Sequence, residues 1–156
     1  MTPDKLLETI QDQFALNWYG IHGIYHWQRV RENGLRLAGL NGANRQVVEL
    51  FAYLHDARRL SDGRDRQHGK RGAAYAASLR GSLSQLPDEA FDNLLYAIRY
   101  HSDGLTEANI TVQSCWDADR LDLGRVGIKP EAQYLCTEAA KDPQLIAWAY
   151  RRSQGE

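Results

Sequence analysis

The residues best suited to chemistry are a histidine and an aspartate side by side, His55 and Asp56, at the end of an apolar run. Apolar residues at positions 47, 48, 51 and 54 recur at helical spacing, so His55, four residues after Phe51, falls on the buried face. Imidazole nitrogen and carboxylate oxygen both bind divalent transition metals, which makes the pair a candidate corner of a metal centre. Such a pair on its own is more often a hydrogen-bonded core histidine followed by a loop aspartate.

Three further histidines, His26, His68 and His101, fall on the apolar faces of predicted helices. Each of the four lies near a predicted helix end, and each buried imidazole needs a hydrogen-bond partner. A shared metal meets that need for all of them, which favours a metal centre over four separate core histidines. The fifth histidine, His22, is expected to be structural, with a role as extra ligand or outer hydrogen-bond donor left open.

A further carboxylate comes from the segment 115–122, which contains three aspartates. Asp117 and Leu121 share one helix face at a spacing of four, so Asp117 is predicted to point inward. Asp119 and Asp122 are predicted to lie on a solvated or capping face, with a nearby arginine as a partner for Asp122. Periodicity alone does not decide among the three.

The order of these residues resembles the H…HD…D signature of the HD-domain metal-dependent phosphohydrolase superfamily. Residues 26–30, His-Trp-Gln-Arg-Val, resemble its H-x-x-R-V segment, and residues 117–122, Asp-Ala-Asp-Arg-Leu-Asp, resemble its D-A-D-x-L-D segment. The similarity covers roughly residues 20–128. What it implies is one divalent ion (Mn, Fe, Ni, Co, Mg or Zn) bound by His26, His55, Asp56 and Asp117.

Some branches of the family carry two more histidines that help to bind a second metal or a substrate phosphate, and His68 and His101 resemble them. The resemblance then implies one or two ions, with Asp56 as the bridge and with Asp56, His68 and His101 as the catalytic residues. No Gly-Tyr-Pro follows His101, unlike the cyclic dinucleotide phosphodiesterases. The Glu-Asp pair of the guanosine tetraphosphate hydrolases is also missing after Asp56. The substrate class therefore stays open.

The expected reaction is hydrolysis of a phosphate ester, with a small phosphorylated molecule such as a nucleotide as substrate and a metal-activated water as nucleophile. Basic side chains must bind the phosphate, and Arg29, Arg58 and Lys70 are the predicted substrate-binding residues. Arg59 and Arg71 are further candidates, but an exposed, solvated side chain is the favoured interpretation for both of them and for Lys70.

The general acid is not decided by the sequence: His68 and His101 could serve if they are not ligands, and the flanking loops offer Asp62, Asp65 and Asp103. Two alternative functions remain at this stage. One is a di-iron oxygenase on the same scaffold, and the other is a non-catalytic, metal-stabilised module for partner binding or sensing.

Helices must position these residues, because the chain shows neither period-two alternation nor an internal repeat. Helices are predicted at about 22–40, 44–58, 67–83 and 114–123, and another runs from Pro87 to His101, with an N-terminal helix before them and one or two after. The predicted fold is all-α, a compact multi-helix bundle with the metal site at the centre of the core helices. A single domain is expected over residues 1–156, with the C-terminal helices packed on a core of about 20–128.

The composition of the chain indicates which classes of binding partner are to be expected. The 156 residues carry a net charge of −1, and 25% of them are charged, so no basic field indicates a nucleic acid. The two cysteines, Cys115 and Cys136, lack CxxC spacing, which is typical of reduced thiols in the cytoplasm. No apolar run is long enough for a membrane span. A cytoplasmic protein is therefore expected, and a homodimer is left open.

Overall fold

The computed structural model describes residues 1–155, and regular structure in that range consists of helices only, which confirms the all-α prediction. No helix in this range is both long and apolar enough to cross a membrane. Short 3₁₀ turns occupy Arg80–Leu83, Leu123–Val126 and Ala132–Tyr134. The α-helices are α1 Pro3–Gln13, α2 Ile24–Asn41, α3 Arg45–Leu54, α4 His68–Ser78, α5 Asp88–Tyr100, α6 Ile110–Arg120, α7 Glu138–Lys141 and α8 Pro143–Ser153.

Helix α3 is shorter than predicted, and its early end shapes the site. The Asn44 side chain caps its start by accepting hydrogen bonds from the amides of Gln46 and Val47. The helix was predicted to continue to residue 58 but ends at Leu54, where tight turns bond the amide of Ala57 to the Leu54 carbonyl. His55 and Asp56 therefore sit at a helix end, where backbone direction changes.

Helices α4 and α6 also differ from the prediction at their ends. Helix α4 ends at Ser78 and continues as a 3₁₀ turn, whereas one helix over 67–83 was expected. Helix α6 begins at Ile110 instead of 114, because the Asn109 side chain accepts a hydrogen bond from the amide of Val112 at 3.0 Å. The apolar pattern did not predict this start, because the residues around the cap are mostly polar.

The main core lies where α2, α3, α5 and α6 meet, around the fully buried side chains of Trp27, Phe51 and Trp116. Two glycines let helices approach closely. A Cβ at Gly34 of α2 would stand 2.1 Å from the Val48 side chain of α3, and one at Gly69 of α4 would stand 2.5 Å from the Arg99 carbonyl of α5. The second approach joins the start of α4, where His68 lies, to the end of α5, which His101 follows.

The C-terminal helices cover the outer side of α2 and the end of α6. Their apolar residues form a second buried cluster with Leu37 of α2 and with Leu121, which directly follows α6. Helix α6 is consequently covered on both sides, and residues 114–118 are all buried. The second cluster contains Leu37, Leu121, Leu135, Ala140, Leu145, Ile146 and Ala149.

Candidate metal centre

Four histidines and one aspartate, positioned by four different helices, meet in the core. His26 lies in the first turn of α2, His55 and Asp56 follow α3, His68 begins α4, and His101 follows α5. All five are buried, with at most 5% of any residue exposed. The structure therefore brings together every histidine that the sequence assigned to the centre.

The cluster has two halves that share Asp56. In the first half, the Nε2 atoms of His26 and His55 lie 3.1 Å apart. Asp56 Oδ2 is 3.5 Å and 3.3 Å from these two nitrogens, and Asp119 Oδ1 is 3.2 Å and 3.4 Å from them. Two nitrogens and two oxygens thus face one another across a small volume.

The second half contains His68 and His101, whose Nε2 atoms lie 2.9 Å apart. The other oxygen of Asp56, Oδ1, is 3.4 Å from the first nitrogen and 3.5 Å from the second. The two carboxylate oxygens of Asp56 therefore serve different halves, which is the bridging position that the resemblance implied for a site with two ions.

The Nδ1 atoms explain why every Nε2 faces the centre. His55, His68 and His101 each donate Nδ1–H to the backbone carbonyl three residues earlier, on Ala52, Asp65 and Ile98. His26 instead donates Nδ1–H to Asp122 Oδ2 at 2.7 Å. Because Nδ1 is held by a hydrogen bond in each case, Nε2 is the nitrogen that faces the centre, and it can bind a cation once it carries no proton.

The carboxylate that completes the first half is Asp119, and the prediction that Asp117 would do so is wrong. Asp117 is buried, as expected, but its two oxygens accept hydrogen bonds from the amides of Cys136 and Thr137 at 2.7 Å and 2.9 Å. Asp119 lies two residues later, on the side of α6 that faces His26. Since α6 is buried on both sides, the apolar spacing could not choose between the two.

Two residues that hold the His26 ring, Asp122 and Arg29, lie in positions that the sequence did not predict. Asp122 was expected on a solvated or capping face, but it is fully buried and bonds to the His26 ring. Arg29, predicted to bind substrate, donates Nε–H to the other oxygen of Asp122 at 2.7 Å. Arg29 and Asp122 therefore orient a metal-facing histidine, an arrangement common around protein metal sites. The spacing of three between residues 26 and 29 was the one sign in the sequence that the two side chains share a helix face.

The donor set fits a divalent transition ion on an observation independent of family resemblance. Asp119 Oδ1 is buried and has no hydrogen-bond partner within residues 1–155. Buried carboxylate oxygens without a partner are costly. A cation among His26, His55, Asp56 and Asp119 would satisfy all four donors, and this nitrogen and oxygen set suits Mn, Fe, Co, Ni or Zn.

Charges differ between the two halves. Burial works against the charged form of His55, but Asp56 and Asp119 outweigh it and raise its pKa to about 10. Burial and the neighbouring His101 lower the pKa of His68 to about 4. Burial also opposes ionisation of Asp56, yet the surrounding histidines hold its pKa well below the usual range. The first half is therefore the more negative environment.

Among the basic side chains, Arg59 is the one whose guanidinium reaches the cluster. Its Nε is buried, lies 3.6 Å from Asp56 Oδ1 and has no hydrogen-bond partner in the described part of the chain. Arg58 and Lys70, both predicted to bind substrate, are exposed, and the Arg58 guanidinium stacks on the Tyr75 ring at 4.5 Å. Sequence had favoured a solvated Arg59, because the turn that carries it inward was not predicted.

The aspartates proposed from sequence as acids have separate roles. Asp65 binds Arg71 through both oxygens and accepts a hydrogen bond from the Leu60 amide, so it folds the loop that aims His68. Asp62 Oδ1 accepts a hydrogen bond from Nδ1 of His22 at 2.8 Å. Asp103 is exposed after α5. Burial lowers the pKa of His22, although the hydrogen bond to Asp62 works in the opposite direction.

Comparison with known proteins supports the fold. No protein-family model and no curated protein matches the sequence. Among solved structures, the chain is similar to the crystal structure of a predicted HD superfamily hydrolase from an uncultured Thermotogales bacterium. The two share 26% sequence identity at a TM-score of 0.73, and the match covers 98% of this chain and 87% of the other. Nearly the whole chain therefore takes part in one shared architecture.

Proposed function

Because this chain has the fold of the HD superfamily and its ordered histidines and aspartates, we propose that it is a metal-dependent hydrolase of phosphate esters. The observation that carries the proposal is the convergence of four imidazole Nε2 atoms on Asp56, beside Asp119 Oδ1, which has no hydrogen-bond partner among residues 1–155. A nucleotide is the first substrate to test. Its phosphate would be the group that reacts.

His26, His55, Asp56 and Asp119 would hold the first ion, and Asp56, His68 and His101 could hold a second. A divalent ion bound in such a site supplies Lewis acidity and lowers the pKa of a coordinated water from 15.7 to about 7. The protein itself fixes the donors: Asp122 holds the His26 ring, and a backbone carbonyl holds each of the other three rings.

Arg59 is the side chain best placed to bind the phosphate. Its Nε–H has no hydrogen-bond partner among residues 1–155 and lies on the side of the cluster that contains Asp56 Oδ1. Its Nη1 donates to the carbonyls of Ser61 and Gly63 at 2.8 Å and 3.0 Å, which fixes the guanidinium in the loop. A fixed guanidinium with a free N–H is suited to a phosphate oxygen.

The surrounding loop also favours an anionic substrate. Residues 58–71 contain six arginines and lysines but only two aspartates. Such a basic segment at the edge of the site raises the local concentration of anions, even though the net charge of the whole chain is −1. A small phosphorylated molecule therefore fits the site better than a neutral one.

A substrate panel with defined metal loading tests the proposal. Protein stripped with a chelator and reloaded with Mn²⁺, Fe²⁺, Co²⁺, Ni²⁺, Zn²⁺ or Mg²⁺ is assayed for phosphate release from nucleotides and simpler phosphate esters. We expect hydrolysis with at least one metal, none with stripped protein and none with Asp119→Asn. Asp92→Asn, on the exposed side of α5, is the matched control and keeps full activity.

The same samples separate the alternatives. A mixed-valence di-iron signal in protein purified without air, together with absence of phosphate release, would favour the oxygenase. Stoichiometric metal without turnover on any ester would favour the binding or sensing module.

A further inference from the structure

His22 is a buried histidine that belongs to neither half of the cluster. Only 5% of the residue is exposed, although it lies outside the regular part of α2. Its ring centre is 6.4 Å from that of His26, and the two rings are nearly perpendicular. The charges of Asp56, Arg59 and Arg125 are close enough to affect the pKa of His22. His22 therefore stands beside the metal centre without being one of its converging donors.

The two nitrogens of His22 face different surroundings. Nδ1–H donates to Asp62 Oδ1 at 2.8 Å, and the Asp62 side chain is 49% exposed, so this edge of the ring faces the surface. Nε2 leaves the ring on the other edge. No hydrogen bond among the described residues uses Nε2. The atom is not fully buried, so a water molecule can reach it. A carboxylate on Nδ1 fixes the tautomer in which Nε2 is an acceptor.

An acceptor that is fixed, accessible to water and next to a hydrolytic centre has a specific use. We propose that His22 is a positioning residue for the attacking water, whose O–H donates to Nε2 while Asp62 holds the ring in place. This inference rests on the proposed hydrolytic function. It gives Asp62 a positioning role through His22 in place of the general-acid role considered from the sequence.

Two substitutions at the same position separate positioning of water from fastening of the loop. In His22→Asn, the amide nitrogen stands near the position of Nδ1 and can still donate to Asp62, but the Nε2 atom is missing. In His22→Gln, the longer side chain reaches the Nε2 position with an acceptor oxygen. We expect His22→Asn to lower kcat by about 10–100-fold with KM and bound metal unchanged, and His22→Gln to recover part of kcat.

The opposite outcomes overturn the inference. Wild-type kcat in His22→Asn would show that His22 only fastens the loop, and loss of Mn²⁺ affinity in both variants by calorimetry would show that it is a ligand. Asp62→Ala provides a variant with little risk to folding, because Asp62 is half exposed. It should lower kcat less than His22→Asn does, since the ring remains but is no longer held.

A readout independent of activity comes from the imidazole nitrogens. Nitrogen-15 NMR of the metal-free protein, with His22 assigned by its absence in His22→Asn, should show a proton on Nδ1 and none on Nε2. Added Zn²⁺ should leave the Nε2 signal without the shift of direct coordination. A proton on Nε2 would overturn the inference. Failure of the wild type to hydrolyse any ester would instead remove the proposed function, which this spectrum does not test.

Discussion

The two halves of the buried cluster have nearly the same pair of imidazoles but different charges around them. The first half faces two carboxylate oxygens, on Asp56 and Asp119, whereas the second faces one oxygen of Asp56 with the Arg59 guanidinium 3.6 Å away. The two pairs of histidines are therefore arranged alike, but the charges around them give the two halves different affinities for a cation. The first half is suited to hold an ion tightly, and the second is suited to a weaker ion or to a phosphate oxygen near Arg59.

Removal of the shared residue should have the largest effect, because it damages both halves at once. Asp56→Ala deletes the one carboxylate that faces all four Nε2 atoms. We expect loss of stoichiometric metal by elemental analysis and a fall in activity of more than about 100-fold. Retention of a full equivalent of metal in purified Asp56→Ala would refute the arrangement described for both halves.

The carboxylates of α6 sharpen the comparison, because only one of them belongs to the first half. Asp119→Asn should abolish tight binding of the first ion while thermal stability stays near that of the wild type. Asp117→Asn should keep the metal but destabilise the fold by about 1–3 kcal/mol, since its carboxylate accepts hydrogen bonds from Cys136 and Thr137. Calorimetric Mn²⁺ titration and thermal unfolding measure the two effects. Metal loss in Asp117→Asn at unchanged stability would reverse the assignment.

Proton release should distinguish the halves without any mutation. The pKa of His55 is about 10 in the metal-free protein, so near pH 7 its ring is charged and an incoming ion must displace the proton. Affinity for the first ion therefore rises with pH. The pKa of His68 is about 4, so His68 releases no proton when the second half is filled near pH 7. Calorimetry in two buffers of different ionisation enthalpy counts the protons, and absence of buffer dependence for the first ion would contradict this asymmetry.

The smallest expected effect concerns the second half alone. Gly69→Ala places a methyl group 2.5 Å from the Arg99 carbonyl, which forces α4 and α5 apart and separates His68 from His101. We expect a stability loss of about 1–3 kcal/mol and a weaker second site, with the first ion still bound. Gly39→Ala is the matched control: its new Cβ meets nothing within 4 Å on the exposed side of α2, so stability should rise by about 0.5–1 kcal/mol. Equal unfolding temperatures for the two variants would argue against the close approach.

Apolar spacing predicted the all-α fold and brought His26, His55, His68 and His101 together, because an inward-facing histidine interrupts an apolar face in a recognisable way. The same spacing could not choose Asp119 over Asp117, since α6 is covered on both sides and its residues 114–118 are all buried. That choice depends on which neighbour covers each side, and residues far along the chain decide it.

Local turns account for the other differences. Arg59 reaches the cluster because the chain turns sharply after Leu54, whereas a helix continued to residue 58 was predicted. Arg29 lies one turn after His26, as the sequence suggested, but a buried aspartate from residue 122 takes its guanidinium. Contacts between residues nearly a hundred positions apart cannot be predicted from the spacing of residues within one helix.

The hydrogen bonds from three histidine rings to carbonyls three residues earlier have a consequence for how the protein acquires and loses its ion. Each of these rings is anchored by its own backbone turn, so the rotamer entropy is lost when the helices form and not when the ion arrives. Metal exchange should then proceed on a rigid, already folded scaffold. Chelation should leave the helical content intact, in contrast to small domains in which the metal supplies the folding energy itself.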